Sequence, residues 1–405
     1  MNGFNDLDSA RRMISKLADP VYSPILSVLK VTRANTQLTP DVPDIVAEKA
    51  GALTKFFGGD DGGSKQQKPL IEGTKVDQYF RDFNLLTKER KNSPARINSA
   101  LTALADVQGY LNDIILSPDT GEAAFNAART RLTSRGDDVI KRLRIEASRM
   151  PEPLQGWLLT TADESWRLLL INAKSHISQQ WRNDVYNRYN ANLAGRFPIF
   201  KNAVDELALF DFSEFFKPGG FHDKFVDTYL APFIDVGDSW NVKRLDDRGL
   251  YISGEAIAQV RRAIQIKGML FKDNPSSPGF AFSMRPYRMD PSVRKFELVF
   301  GGQRLVYTHG PKIPKAVSWP GDGSSGVRIL FEDLNDSIKR VSFDGPWAFM
   351  RLLQESEVSP TRRSNVYQIT FQTLGRKSTW EVTAKSANNP FRDQVIDNYR
   401  CPEAL

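Results

Sequence analysis

Three histidines, His176, His222 and His309, and one cysteine, Cys401, are the residues from which nucleophilic or metal chemistry would have to be built. A structural zinc site takes four Cys/His ligands at short spacings, and a serine hydrolase of the α/β type sets its nucleophile on a Gly-x-Ser-x-Gly turn; neither pattern occurs. Cys401 has no second cysteine for an internal disulfide and no evident base to activate its thiol, so it reads as a buried structural residue. His176, beside Ala173 and Ile177, reads as a side chain on a helix. His222-Asp223 follows Pro218-Gly219-Gly220, where Asp223 suits a helix cap better than an acid-base role. Asp246-Asp247 and Glu332-Asp333 are neighbours in sequence, whereas glycoside hydrolysis needs two carboxyls held apart across a cleft. Gly58 to Lys65 imitates a phosphate loop, but it runs Gly63-Ser64-Lys65 where Gly-Lys-Ser/Thr is required, and it places Asp60 and Asp61 where phosphates would sit. No catalytic residue, metal ligand or cofactor site is expected.

Binding chemistry is what remains. Arg261-Arg262 and Arg362-Arg363 are basic pairs, yet neighbouring acidic residues dilute their field and no recognition motif accompanies them, so nucleic acid is not an expected partner. Two turn-rich aromatic loops stand out, His309-Gly310-Pro311 and Trp319-Pro320-Gly321. Loops on a rigid sheet scaffold are where binding faces lie, and aromatic loops also close the ends of cores.

The elements that position these residues follow from length and pattern. At 405 residues, with 40% hydrophobic and 25% charged, the chain suits two or three globular domains. It shows neither a signal peptide nor a run of roughly 18 apolar residues able to cross a membrane. Residues 1–57 read as short helices broken at Pro20 and Pro24. Residues 58–69, rich in Gly, Asp, Lys and Gln, read as an exposed linker. Residues 70–272 are helical in period. Ser93-Pro94 opens a helix with Ile97, Leu101, Leu104, Leu111 and Ile115 on one stripe, and Asp163 to Asn190 carries Trp166, Leu169, Leu170, Ala173, Ile177, Trp181 and Val185 on another. A last helix, Gly254 to Phe271, buries Ile257, Val260 and Ile264. At residue 273 the period changes to two. Phe296/Leu298/Phe300, Val327/Ile329/Phe331, Tyr367/Ile369/Phe371 and Trp380/Val382/Ala384 alternate as strands. The fold class is therefore α+β and multidomain: all-α modules, then a β-sandwich over 273–405 with a short helix inserted after Asp344-Gly345-Pro346 and a helix at its C-terminal end. The net charge of +7 is uneven. Residues 271–405 hold 19 basic and 14 acidic residues, so most of the excess lies on the β module.

Several blocks resemble the C-terminal, periplasmic part of the IcmF/TssM family, inner-membrane components of type VI secretion systems. They are Asp211-Phe212, Phe215-Phe216, Pro218-Gly219-Gly220, Asp223, Phe225, Leu230, Pro232-Phe233 and Trp240, then His309-Gly310-Pro311, Trp319-Pro320-Gly321, Asp344-Gly345-Pro346-Trp347 with Arg351-Leu352-Leu353, Asn389-Pro390-Phe391 and Cys401-Pro402. The resemblance is strong over 197–405. It implies a structural scaffold rather than an enzyme, in the periplasm, with a membrane anchor lying upstream of Met1 in a parent chain. It also implies partners: the outer-membrane lipoprotein TssJ, the inner-membrane protein TssL, and further copies of itself in a ring-like complex. On that reading His309, Pro311, Trp319, Pro320, Arg362 and Arg363 form or border the lipoprotein-docking surface, with Trp319 as apolar anchor and the arginines as charged partners. A cell-wall glycan-binding module, with exposed aromatics stacking on sugars, is the alternative.

Overall fold

The computed structural model describes residues 4–38, 72–89, 94–134, 136, 138–237, 239–391 and 395–405. The linker expected at 58–69, the phosphate-loop imitation within it and Ser93 lie outside the described residues. No helix among the described residues is long and apolar enough to cross a membrane. The chain forms two compact units: one gathers Met1–Ala173 with Arg244–Arg248, the other Lys174–Lys243 with Gly249–Leu405. The stretch 70–272, expected as one helical domain, is thus shared between them. Period reports secondary structure, whereas compactness depends on which faces meet in space.

The first unit is helical. Asp6 and Ser9 form a capping box for α1 (Leu7–Ala18), and Ser23 caps α2 (Pro24–Thr36) with Pro24 in its first turn. Then follow α3 (Glu72–Tyr79), α4 (Arg81–Leu86), α5 (Ile97–Ile115), α6 (Thr120–Thr133), α7 (Val139–Ala147) and α8 (Leu154–Gln180), which supplies residues to both units. Helix α5 begins at Ile97 without a side-chain cap, not at Pro94, and buries Ile97, Leu101, Leu104, Leu111 and Ile114. Asp246-Asp247 is a left-handed turn, φ 50° and 61°. Its Asp246 carboxylate lies 2.7 Å from Arg131, whose buried guanidinium also pairs with Asp138 and stacks 4.4 Å from the Trp166 ring. Two carboxylates and an indole offset part of the desolvation of this buried cation, whose Nη1 has no hydrogen-bond partner among the described residues.

In the second unit a π-helical segment (Trp181–Tyr186) continues α8 into α9 (Asn187–Asn192). After it come α10 (Leu209–Phe216), α11 (Phe221–Phe225), a second π-helical segment (Val226–Leu230) and α12 (Gly254–Leu270). Helix α12 is capped by Ser253 and buries Val260, Ala263, Ile266 and Met269, leaving Ile257 and Ile264 half-buried. Nine strands follow: β1 (Phe280–Met289), β2 (Val293–Phe300), β3 (Gln303–Tyr307), β4 (Lys315–Trp319), β5 (Val327–Asp333), β6 (Ile338–Phe343), β7 (Glu357–Pro360), β8 (Val366–Thr373) and β9 (Arg376–Ala384), with α13 (Ala348–Gln354) inserted after β6. They form antiparallel sheets in the orders β4-β1-β9-β8-β7 and β3-β2-β5-β6. The sheets face each other through Phe296 and Phe371, 5.6 Å apart, and through Phe282 and Phe300, 6.2 Å apart. All twelve residues expected to alternate inward in β2, β5, β8 and β9 are buried.

The helix expected at the C-terminal end is not found among the described residues. Among the described residues, 395–405 form turns and extended chain, held because Trp181 Nε1 donates to Pro402 O at 2.8 Å and Tyr399, Cys401 and Leu405 are buried. Burial pushes the Cys401 thiol up to about 12, as an inert structural cysteine requires.

Candidate docking surface

Strand register decides which of the expected surface residues can act together. β3 runs from Gln303, paired with Phe300, to Tyr307, paired with Phe296. The loop after it therefore leaves at the end where β2 begins, and there His309 Nε2 donates to Val293 O at 2.7 Å. Trp319 pairs with Phe280 at the start of β1, and Val366, just after Arg362-Arg363, pairs with Thr383 near the end of β9. His309 and Pro311 thus lie at one end of the sandwich, whereas Trp319, Pro320, Arg362 and Arg363 lie at the other.

The end with Trp319 is capped by helices. The Trp319 ring is 3% exposed, 5.6 Å from Phe280 and 5.1 Å from Trp347. Trp347 in turn meets Phe212 of α10 at 4.9 Å and donates from Nε1 to Leu207 O at 2.6 Å. Phe349 of α13 stacks on Phe300 at 4.6 Å. Glu206 accepts from Arg351 Nε at 2.6 Å and from Trp347 N–H at 3.3 Å. Trp319 is therefore not an anchor offered to a partner but a closure of the core, and burying an aromatic of this size contributes about 3 kcal/mol. Trp347 and Trp380, the other tryptophans of the β module, are buried too, so none presents a face to a sugar ring. Pro320 is half-buried, and Arg362 and Arg363 are exposed on the loop between β7 and β8.

The opposite, distal end is built from hairpin turns bonded to one another. Arg376 at the β8–β9 turn pairs with Asp333 at the β5–β6 turn, and that guanidinium, with the Ser337 N–H, holds the carboxyl below its usual range. Leu334 N–H donates to Ser292 O at 3.1 Å and Asp290 N–H to Lys377 O at 2.9 Å, tying both turns to the β1–β2 turn. His309 adds the β3–β4 loop. On this laced platform Leu334 and Leu374 are 66% and 77% exposed, and Leu374 sits at φ 46° in a two-residue turn with Gly375. A leucine in the left-handed region pays a steric cost and here gains no burial. Leu-Gly between two alternating runs is the signal that could have found it in the sequence; Leu334 left none. His309 and Pro311 are exposed beside these turns.

The remaining histidines sit away from such chemistry. His176 is buried 6.0 Å from the Tyr229 ring. His222 is fully enclosed by Trp181 and Phe215, and burial drives its pKa down to about 3, so it is neutral. Asp223 is not the expected cap: α11 starts at Phe221 with Gly220 at its N-cap, and Asp223, inside its first turn, accepts from the Gly219 N–H at 2.9 Å and pairs with Lys267. Among the described residues no group of His, Cys, Asp and Glu could hold a metal ion.

Two family models match the chain: the helical domain of the type VI secretion protein IcmF over residues 172–275, and its C2-like domain over 282–386. The chain is 27% identical over 367 residues to the type VI secretion system component TssM1 of Pseudomonas aeruginosa, a match that covers 89% of this chain and 32% of that protein. The chain therefore spans about a third of the length of the curated relative it matches. Its fold is similar to a solved type VI secretion system membrane core complex (TM-score 0.73, 18% identity, covering 98% of this chain and 78% of that one). It is also similar to a type VI membrane complex (TM-score 0.74, 17% identity, 100% and 75%) and to the TssM C-terminal domain from EAEC (TM-score 0.52, 19% identity, 57% and 98%).

Proposed function

This chain belongs to the IcmF family of type VI secretion proteins, as a C-terminal region of the TssM kind, and from that premise we propose that it is a non-enzymatic scaffold of the envelope-spanning membrane complex. On this reading it works in the periplasm, downstream of a membrane anchor, and its β module docks the outer-membrane lipoprotein TssJ. TssL and further copies of the chain complete the assembly. One observation carries the docking reading: at the distal end four loops are fixed to one another by hydrogen bonds and an ion pair while Leu334 and Leu374 stay in solvent. A rigid platform loses little conformational freedom on binding, and aliphatic tips supply the apolar contact. His309 and Pro311 border this face. Arg362 and Arg363, at the other end, belong to a different surface.

The test is calorimetry of the full chain with the soluble part of the lipoprotein. Leu374→Asp weakens binding about tenfold or more, whereas the charge reversal Arg362→Glu changes it by less than about twofold. Equal binding by Leu374→Asp and the unaltered chain overturns the distal site, and no binding by the unaltered chain overturns the docking reading itself. Folding of each variant is checked by its unfolding transition.

A further inference from the structure

The sandwich has four strand edges, and at each of three of them a side chain or a proline occupies one of the outward backbone positions. On one side Gln303 bridges the two sheets. Its carboxamide donates to Ser318 O at 2.6 Å and accepts from Ser318 N–H at 2.8 Å, standing in for a strand beside β4. Lys315 Nζ covers the edge of β3 by donating to Arg304 O at 2.7 Å. On the other side β7 is only four residues long. The Thr361 N–H to Val366 O bond sets its phase, so β7 turns only Val358 and Pro360 outward, and proline has no N–H to offer.

β6 is different. It pairs with β5 along its whole length and, among the described residues, has no strand on its other side. The Asp333 N–H to Ser337 O bond fixes the alternation: Lys339, Val341 and Phe343 bond to β5, and the N–H and C=O groups of Ile338, Arg340 and Ser342 point away from it. Among the described residues none of these groups has a hydrogen-bond partner. The strand carries no proline, glycine or bulge to blunt the edge. Its inward side chains, Lys339, Val341 and Phe343, are only half-buried, so the mouth of the sandwich is open along it. Its last residues face a cleft of ≈ 870 Å³ lined by Ser342 and Phe343 on one side and by Asn202, Ala203 and Val204 on the other.

We propose that the free edge of β6 is a strand-addition site for an extended, acidic segment of a partner protein. Backbone groups of Ile338, Arg340 and Ser342 would hold the added strand, and its apolar side chains would cover Val341 and Phe343. Charge selects the partner. Lys339 and Arg340 are consecutive, so they lie on opposite faces, and Arg328 stands beside Ser342 on the outer face. None of the three forms an ion pair among the described residues. Acidic residues on the outer face of the added strand would therefore meet the unpaired Arg340, with Arg328 beyond it, while Lys339 borders the inner face. A second copy of β6 fits poorly, because the two-fold register that uses all three free residues sets Arg340 against Arg340. The site is a side edge of the sandwich and stands independently of docking at the distal turns.

The probe is an acetylated octapeptide alternating valine and glutamate, with the valine–lysine counterpart as control, added to the full chain and read by residue-level amide hydrogen exchange. Without peptide, Ile338, Arg340 and Ser342 exchange fast while Lys339, Val341 and Phe343 are protected. The glutamate peptide slows the first set by about tenfold or more, and the lysine peptide does not. Ser342→Pro, which removes one outward donor and leaves the β5 ladder intact, weakens binding about fivefold or more. Arg340→Glu weakens the glutamate peptide and favours the lysine one. Failure of the glutamate peptide to bind at millimolar concentration, or binding that leaves the three outward amides unprotected, overturns the proposal. So does equal binding of the two peptides, or an Arg340→Glu protein that prefers neither.

Discussion

The two ends of the sandwich are built by opposite means. At the helix-capped end Trp319, Trp347, Phe212 and Phe349 are buried against one another or against Phe300, and backbones approach so closely that Gly301, at φ 51°, leaves no room for a Cβ beside the Pro320 carbonyl. At the distal end aromatic packing stops at Tyr307 and Trp380, 6.3 Å apart. Beyond them His309, Asp333 and Arg376 hold the turns, and the leucines face solvent. Apolar contact is non-directional and covers surface, whereas hydrogen bonds and ion pairs fix position without covering it. One end is therefore cohesive and closed. The other is rigid and open, which is the combination a docking face needs.

The largest way to break this contrast is Trp347→Ala. Its indole joins Phe212 to Trp319 and bonds Leu207 O, so the variant loses about 4 kcal/mol in the unfolding transition of its unit, read by denaturant titration of the full chain. A loss under about 1 kcal/mol would mean that the helices cap this end only loosely.

How much of this the sequence discloses depends on what is being read. The change of period near residue 272 falls between the helix that ends at Leu270 and the first strand, which begins at Phe280. Of the five central strands, β2, β5, β8 and β9 were legible because both neighbours and an inner face enforce alternation, whereas β1, whose period is broken by a bulge between Pro286 and Arg288, was not. The edge strands β4, β6 and β7 were not, since an edge is partly in solvent even on its inner face and admits polar residues there, as β6 does with Lys339. Trp319 shows the limit for sites. In sequence, an aromatic beside Pro-Gly suits core closure as well as docking, and only the position of Trp347 and Phe280 decides between them. His309 and Arg362 show another limit. Which end a loop occupies follows from strand order, and order is set by long-range pairing that neither loop encodes.

Acid sharpens the comparison, because the helical part and the distal end lose their protonation-dependent support in different ranges. His222, packed between Trp181 and Phe215 in the helical part, titrates at about 3 when folded and near 6.5 when unfolded. The unfolded chain therefore binds the extra proton first, and stability falls as the pH drops from 6.5 towards 3, on the order of 1 kcal/mol per pH unit. The Asp333 carboxyl is held below its ordinary 3.8 by Arg376, so its contribution is complete above that value and is lost only as the pH falls through it. Denaturant midpoints measured from pH 7 to pH 5 should fall for the unaltered chain and fall less for His222→Phe, with the distal amides of Leu334 and Ser337 still protected. Equal slopes for the two proteins would remove His222 as the cause.

The smallest effect separates stability from binding at one residue. Leu374 and Gly375 make a two-residue turn between Thr373 and Arg376, with φ 46° and 82°. Asparagine is preferred at the first of these positions because its short polar side chain tolerates the left-handed region, whereas leucine is strained there and, being exposed, receives no packing in return. Leu374→Asn should therefore raise stability by about 0.5 kcal/mol, near the lower end of what such strain costs. The same change deletes an aliphatic tip from the distal face and should weaken lipoprotein binding. Opposite signs in the two measurements would mean that leucine persists at this turn for what it touches outside the chain. A variant that is less stable, or that binds the lipoprotein as the unaltered chain does, would instead make Leu374 an ordinary surface residue and leave Leu334 to carry the apolar contact.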